Sequence, residues 1–461
     1  METSRREFMR RLARGTLFAG AVSPAIGLHD ALSQPLEVVP RRSPPIPPAP
    51  LRLPFRIPDP GTFAEFTRNR PADVGMGPGT LANWCGGTFI SSYGLRGGVA
   101  YHGGREHSQI TTNSQQAVYV LDCNSGLYVR RCFPTQTNTQ GLFTGTPLAY
   151  SGTPTDQWGA YTDGSAGAMH TYAGLCEMPA AWNEGTPAMV RVFQSAGASA
   201  ALLGESYAAT WRFDLSKANH SLAEPSMTRL TGDQTYHQFA NRPADVAVVS
   251  DAPTACIDTI REGWWAFSRT SSGNRGISFT HRLGAITNFA APGLALARWS
   301  KMHHFSDDDI LCVMCDEPAF GVTRFGVVKL LAMDQLPGGS WITVLPTLPP
   351  SPSPLISCGY GGPQWSSMLG CFVMLDTNFD GGAQCRVWKL VPPPPGQRLT
   401  GEWAWSHEIV TSADGSTIAK TDHASVNGAW GRLVECPALR AFVWTRSIDR
   451  KGQLIRLAGM I

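Results

Sequence analysis

The chain has 461 residues with 38 Lys plus Arg against 35 Asp plus Glu, and charged side chains make up only 16% of it. Glycine (48) and proline (35) are both plentiful, which disfavours long solvated helices and favours short strands joined by tight turns. The formal charge is +3, and residues 1–33 hold five Arg against Glu2, Glu7 and Asp30; that segment takes +2 of the total, and the nearly neutral remainder excludes the electrostatic footprint of a nucleic-acid or anionic-membrane partner.

Taken in chain order, the first segment is an address. Ser4-Arg5-Arg6-Glu7-Phe8-Met9-Arg10 resembles a twin-arginine export signal, with Met and Arg where Leu and Lys are commoner. A mildly apolar stretch follows from Leu12 to Leu28 and ends near Ala31-Leu32-Ser33, a small-residue cleavage site. It is too short and too rich in Gly, Ala and Ser to span a bilayer well. Residues 1–33 therefore read as a signal for export in folded form, with a periplasmic or secreted mature chain that has no membrane span. Residues 34–75 are Pro-rich, including Pro44-Pro45-Ile46-Pro47-Pro48-Ala49-Pro50, and read as an extended spacer. The folded domain is expected over residues 76–461.

Within that domain one hairpin recurs. Its instances are Val118–Leu121 with the turn Asn124-Ser125-Gly126, Thr210–Phe213 with Met227–Leu230, and Gly263–Phe267 with the turn Ser271-Ser272-Gly273. Next come Val327–Leu330 with Ser340-Trp341-Ile342, Arg386–Leu390 with Trp403-Ala404-Trp405, and finally Leu454–Leu457. The steps are about 92, 54, 62, 61 and 67 residues, the period of a four-stranded propeller blade, with an insertion expected around residues 133–165 in the long first step. The chain ends after what should be a third strand, so the N-terminus is expected to supply the fourth, with Leu81-Ala82-Asn83-Trp84 as its source. The fold class is all-β: a six-bladed β-propeller (seven-bladed as the alternative) closed by an N-terminal strand.

The blade motifs resemble a known family. Tyr101-His102-Gly103-Gly104-Arg105-Glu106-His107 followed by Val118-Tyr119-Val120-Leu121-Asp122 resembles the kelch pattern, a Gly pair closing one strand and an apolar strand closing in Asp. Asp163-Gly164, His170-Thr171-Tyr172 and Pro179 resemble the start of a kelch blade, as does Trp430–Pro437 with Ala441-Phe442-Val443. The resemblance, to bacterial galactose-oxidase/kelch-type propellers, covers roughly residues 80–461. It departs from them in the third and fourth blades, where the Gly pair is absent. Propellers host enzymes and binding proteins alike, so the resemblance implies little about chemistry.

Seven of the 11 His fall near the start of inner strands: His102, His107, His170, His237, His303, His304 and His423. Tyr172, Tyr236, Tyr360, Trp365 and Arg432 accompany them. In a propeller such positions converge on a central mouth. His170, Tyr172, Tyr236, His237 and Arg432 are the candidate catalytic set, with imidazole and phenol as base and acid and Arg neutralising a carboxylate. His102, His107, His304, Tyr360, Trp365 and His423 are the candidate ligand-binding set. The competing reading of any one His is a staple that hydrogen-bonds a neighbouring blade's backbone.

No cofactor is fixed by the sequence. Asp376-Thr377-Asn378-Phe379-Asp380-Gly381 offers Asp376, Asn378 and Asp380 as Ca²⁺ ligands, although position twelve is Val387 rather than Glu. Copper is disfavoured because no Cys-plus-Tyr context accompanies Tyr236-His237, and His303-His304 point to opposite sides of a strand. The eleven Cys are scattered and read mostly as small core residues, with one or two disulfides after export. Three functions stay open: recognition of a glycan or small polar ligand, a polysaccharide lyase or other carbohydrate-active enzyme in the same mouth, and an assembly partner of another exported protein.

Overall fold

The computed structural model describes residues 53–76, 85–103, 117–135, 163–166, 171, 173–192, 210–230, 254–269, 275–290, 300–319, 322–336, 339–349, 362–376, 382–418, 431–446 and 450–460. The chain divides into two compact units, Met1–Pro54 and Phe55–Ile461, and the architecture below belongs to the second. Among the described residues there are strands and short 3-10 turns but no α-helix.

The first strand, β1 (Thr62–Glu65), stands apart in sequence from the sheet it completes. Sheet 1 is β2 (Gly86–Ile90), β3 (Gly98–His102), β4 (Val118–Asp122) and β5 (Leu127–Arg131). After β6 (Phe133–Pro134) comes sheet 2, made of β7 (Leu175–Met178), β8 (Ala188–Arg191), β9 (Trp211–Asp214) and β11 (Met227–Arg229). Between the last two lies β10 (Asn219–His220), which pairs in parallel with β6. Sheet 3 is β12 (Thr254–Asp258), β13 (Gly263–Arg269), β14 (Arg275–His281) and β15 (Ile286–Ala290). Sheet 4 is β16 (Lys301–Phe305), β17 (Ile310–Ala319), β18 (Val322–Ala332) and β19 (Ile342–Val344). The eight-stranded remainder is two four-stranded arrays joined edge to edge. Sheet 5 is β20 (Gln364–Ser366), β21 (Cys371–Asp376), β22 (Gln384–Val391) and β23 (Ala404–Ser412). Sheet 6 is β24 (Leu433–Cys436), β25 (Ala441–Trp444), β26 (Gln453–Arg456) and β1.

The sheets neighbour one another in a cycle. Contacts join β2 to β7, β7 to β12, β12 to β16, β20 to β24 and β24 to β2, and His303 of β16 stacks on Trp365 of β20 with centroids 5.1 Å apart. Starts of first strands meet starts: Gly86 N–H donates to Thr171 Oγ1 at 2.7 Å, Ala173 bridges Thr254 in parallel, and Met302 N–H donates to Thr254 Oγ1 at 2.9 Å. Each sheet is therefore covered on both faces, which is why β3 and β21 are buried throughout and apolar up to their last residues, His102 and Asp376, rather than alternating.

The apolar cores sit between sheets. Ile90, Val120, Met189 and Trp211 join sheets 1 and 2; Val190 and Trp264 join 2 and 3; Trp265 and Val313 join 3 and 4. Phe305, Phe372 and Trp388 join 4 and 5, and Val387, Phe442 and Ile455 join 5 and 6. Between sheets 6 and 1 the Tyr101 and Tyr128 hydroxyls share Thr445 Oγ1 at 2.7 and 3.2 Å. There Gly431 has φ +86°, and a Cβ on it would come within 2.5 Å of Gly87 O, so only glycine lets the last sheet approach the first so closely.

Alternation of strand direction gives every sheet two distinct edges. Connections into the first strand and from the second to the third meet one edge, the loop edge. Turns from the first to the second strand and from the third to the fourth meet the other, the turn edge.

Three expectations are corrected. The closing strand is β1, Thr62–Glu65, and not residues 81–84, which lie outside the described residues. Phe63 decides this, because its side chain is wholly buried among Cys371, Leu375, Val410 and Ile455. The segment 34–75 is consequently not all spacer, since β1 and the turn Pro71–Val74 belong to the unit that begins at Phe55. In sheet 3 the aromatic run Gly263–Phe267 is the second strand and not the third, which is β14. Cys312 and Cys315 of β17, three apart on one strand, face opposite sides, one in the core toward sheet 5 and the other in the core toward sheet 3.

Because β1 is hydrogen-bonded antiparallel to β26 and parallel to β23, shortening Phe63 should loosen the ring at its closing point. Phe63→Ala is expected to lower unfolding stability by about 3–5 kcal/mol in urea titration.

Candidate functional site

The loop edge collects basic groups from several sheets. Arg191 is the last residue of β8 and its side chain is 1% exposed. Its Nη1 lies 3.4 Å from Nδ1 of the buried His102, the last residue of β3. A guanidinium can only donate, so His102 Nδ1 is the acceptor and the ring is the neutral Nε2–H tautomer. Phe213 packs against both, with its centroid 4.5 Å from the imidazole and 5.8 Å from the guanidinium carbon. The His102 carbonyl accepts Thr171 Oγ1 at 2.8 Å and Cys85 Sγ at 3.7 Å, which ties sheet 1 to the start of sheet 2.

On the other flank of sheet 1, Arg432 precedes β24. It is fully buried, donates to Arg446 O, and lies 5.7 Å over the Trp444 ring. Burial lowers its pKa to about 10, against the pull of the nearby Cys85 and Tyr101, so it remains cationic at neutral pH. Lys301 begins β16 on the same edge; burial lowers its pKa, while Cys176 and Cys256 of the neighbouring first strands act to raise it. Two guanidinium groups, a lysine amine whose pKa burial lowers, and one neutral imidazole thus stand at one edge of the ring, together with the paired Asp376 at the end of β21; Coulomb interactions there are weakly screened.

The turn edge is organised differently. There carboxylates clamp each sheet to the next. Glu177 of β7 accepts Ser91 N–H and Oγ at 2.6 and 2.7 Å, and Glu435 of β24 accepts Ser366 Oγ and, at 2.9 and 2.7 Å, Ser367 N–H and Oγ. Burial raises the Glu177 pKa while the Ser91 hydrogen bonds oppose it. Arg261 bridges Asp258 at 2.8 Å and Asp309 at 2.6 Å, His304 Nε2 lies 3.0 Å from Asp309, and Trp265 Nε1 donates to Asp258 at 2.8 Å. Arg398 holds Asp307 at 2.5 Å and Asp308 at 2.8 Å, joining sheets 5 and 4.

Of the residues expected at the mouth, the structure brings His102 and Arg432 to the loop edge on either flank of sheet 1, linked through Cys85. His304 is placed at the far edge inside the Asp258–Arg261–Asp309 clamp, because it is the fourth residue of β16 and lies next to the turn. Trp365 is half-buried between His303, Phe305 and Phe372 in the core between sheets 4 and 5. Burial pushes the His303 pKa down to about 3, and this ring is core. His107, His170, Tyr172, Tyr236, His237, Tyr360 and His423 lie outside the described residues, as do Asn378 and Asp380. The carboxylate of Asp376 accepts Trp388 Nε1 at 3.1 Å and lies 3.8 Å from Arg386. No group of three or more metal-ligating side chains occurs among the described residues. The staple role is filled by His220, whose Nδ1 accepts the Ser226 and Met227 N–H groups at 3.1 Å while Nε2 donates to Asp163 O at 3.0 Å.

Sequence reading missed Arg191 and Lys301. The available signal was a lone cation at the end of an otherwise apolar strand, as in Ala188-Met189-Val190-Arg191.

No family model matches the chain, and no curated protein matches it. Among solved structures, it is similar to an exo-β-1,3-galactanase from Phanerochaete chrysosporium crystallised with β-1,3-galactotriose, at 11% identity and a TM-score of 0.32, over 80% of this chain. The chain spans 66% of that enzyme's length. It is also similar to a GH43 β-1,3-galactosidase with galactodeoxynojirimycin, at 10% identity and a TM-score of 0.32, over 74% of this chain and 94% of that one.

Asp309 gives the clamp a measurable pH signature. Burial alone would raise its pKa, but His304 and Arg261 hold it down at about 2, below the ordinary value near 4. Its stabilisation is therefore fully present above about pH 4 and is lost as pH falls toward 2. Asp309→Asn preserves the residue's left-handed backbone (φ 53°), since Asn tolerates that region. The variant should lose about 2 kcal/mol at pH 6 and about a third of that at pH 2.5, as read by urea unfolding at the two pH values.

Proposed function

We propose that this chain is an exported, kelch-like six-bladed propeller that recognises an acidic carbohydrate at its loop edge. The observation that carries the reading is that Arg191, Lys301, Arg432 and His102 stand at strand ends on that edge, contributed by sheets 2, 4, 6 and 1, with Arg191 and His102 in contact. Cations in a weakly screened setting favour a carboxylate-bearing sugar over a neutral one, and guanidinium matches carboxylate geometry. The six cyclic four-stranded arrays support the blade count. The kelch-like assignment is supported by Gly103 directly after β3 and by Asp122 ending β4, where its carboxylate accepts Asn124 N–H at 2.9 Å and Ser125 Oγ at 2.6 Å. Export rests on the resemblance of Arg5-Arg6 and its flanks to a twin-arginine signal.

A second reading, a polysaccharide lyase or related enzyme at the same edge, is favoured by the His102–Arg191 contact. A neutral imidazole has one basic nitrogen, so in this reading a sugar carboxylate draws the Arg191 guanidinium off His102 Nδ1 and frees that nitrogen to take a proton. His170, Tyr172, Tyr236 and His237, candidates from the sequence, are this reading's further base and acid.

The test is titration calorimetry with oligogalacturonate and with a neutral glucan of equal length, accompanied by assay for unsaturated sugar release. The acidic oligomer should bind and the neutral one should not, and Arg191→Gln and Arg432→Gln should each weaken binding about 10- to 100-fold. Equal binding of both oligomers, or variants that fold and bind as the parent does, would refute the reading.

A further inference from the structure

The seam between sheets 6 and 1 is where the end of the chain meets its beginning, and it contains a pair of cysteines. Cys123 immediately follows β4, and Cys436 is the last residue of β24. Both are fully buried. Both are fixed to one turn, the one between β2 and β3: Cys123 N–H donates to Gly97 O at 3.1 Å, and Cys436 Sγ donates to Arg96 O at 3.3 Å. Anchoring to consecutive carbonyls places both cysteines against the same turn, and their interaction across it lowers the Cys436 pKa and raises that of Cys123. The thiol with the lowered pKa is the better attacking group in disulfide exchange.

We propose that Cys123 and Cys436 form a disulfide that closes the ring covalently. The oxidant is a small or protein disulfide. The Cys436 thiolate attacks one of its sulfurs, forming a mixed disulfide and releasing one thiolate. The Cys123 thiolate then attacks the Cys436 sulfur and releases the second. Two protein thiols are oxidised and one external disulfide is reduced, and the two protons lost by the protein thiols pass to the two released thiolates, giving two thiols. The bond would join sheet 1 to sheet 6 at the turn edge, where the clamps described above are otherwise non-covalent. A cross-link enclosing most of the chain restricts the unfolded ensemble strongly. The chemistry does not depend on glycan binding, so the two proposals fail separately.

The test is to refold the full chain in a glutathione redox buffer, denature it with an alkylating reagent present, and read intact mass and a non-reduced peptide map. Of the eleven cysteines, nine should be alkylated, eleven minus the bonded two. One cross-linked peptide should contain Cys123 and Cys436. The oxidised chain should melt several degrees above the reduced one, and Cys436→Ser should abolish that increment. Eleven alkylated thiols, or a cross-link joining any other pair, would overturn the proposal. The peptide map uses the parent chain and does not depend on the variant folding.

Discussion

A cyclic arrangement of sheets has a closure problem, because the last sheet must meet the first without a chain connection to enforce it. In this protein β1 solves it by pairing antiparallel with β26 and parallel with β23. The chain therefore begins its fold in the sheet where it ends it, and Phe63 inserts into the same core as Val387 and Ile455. An unpaired β26 would leave a row of exposed backbone donors and acceptors, an invitation to pair with other chains. Every inter-sheet core depends on this closure, since each is formed by two neighbouring sheets and none by a sheet alone.

The ring's two edges carry different chemistry. At the turn edge, Glu177, Glu435, Asp309 and the Asp307–Asp308 pair each engage a serine or a cation of the adjoining sheet. Buried charges of this kind are tolerable only when paired and hydrogen-bonded, so these clamps fix the angle between sheets. At the loop edge the buried ionisable groups among the described residues are mainly basic, and they stand at strand ends of sheets 1, 2, 4 and 6. Among the described residues the one wholly buried carboxylate ending a second strand, Asp376, is held by Trp388 and Arg386, and the basic groups beyond that pair are the basis for expecting an anionic ligand at the loop edge.

The periodic hairpins and the missing last strand were legible because both follow from simple rules, strand alternation and the need to pair an edge. Closure by an N-terminal strand was foreseen from that need, but not its location. Thr62-Phe63-Ala64-Glu65 lies close behind a proline run and carries a single large apolar residue, too little alternation to stand out. The slip in sheet 3 has the same origin: Trp264 and Trp265 made the second strand look like the repeating third. His304 and Trp365 were read for the mouth because imidazole and indole suit ligands. Their roles depend on which neighbour the ring presents, Asp309 in one case and His303 in the other, and a linear sequence does not show that. Arg191 was invisible for the opposite reason, since one cation ending an apolar strand resembles an ordinary solvated strand end.

Hydrogen–deuterium exchange with and without saturating oligogalacturonate addresses the central claim directly, because it reports on both edges in a single experiment. Ligand should slow exchange in peptides containing His102, Arg191, Lys301 and Arg432, and leave Asp258–Arg261 and Asp307–Asp309 unchanged. Slowed exchange at the turn edge or along the outer strands, or no change anywhere at saturation, would contradict the account.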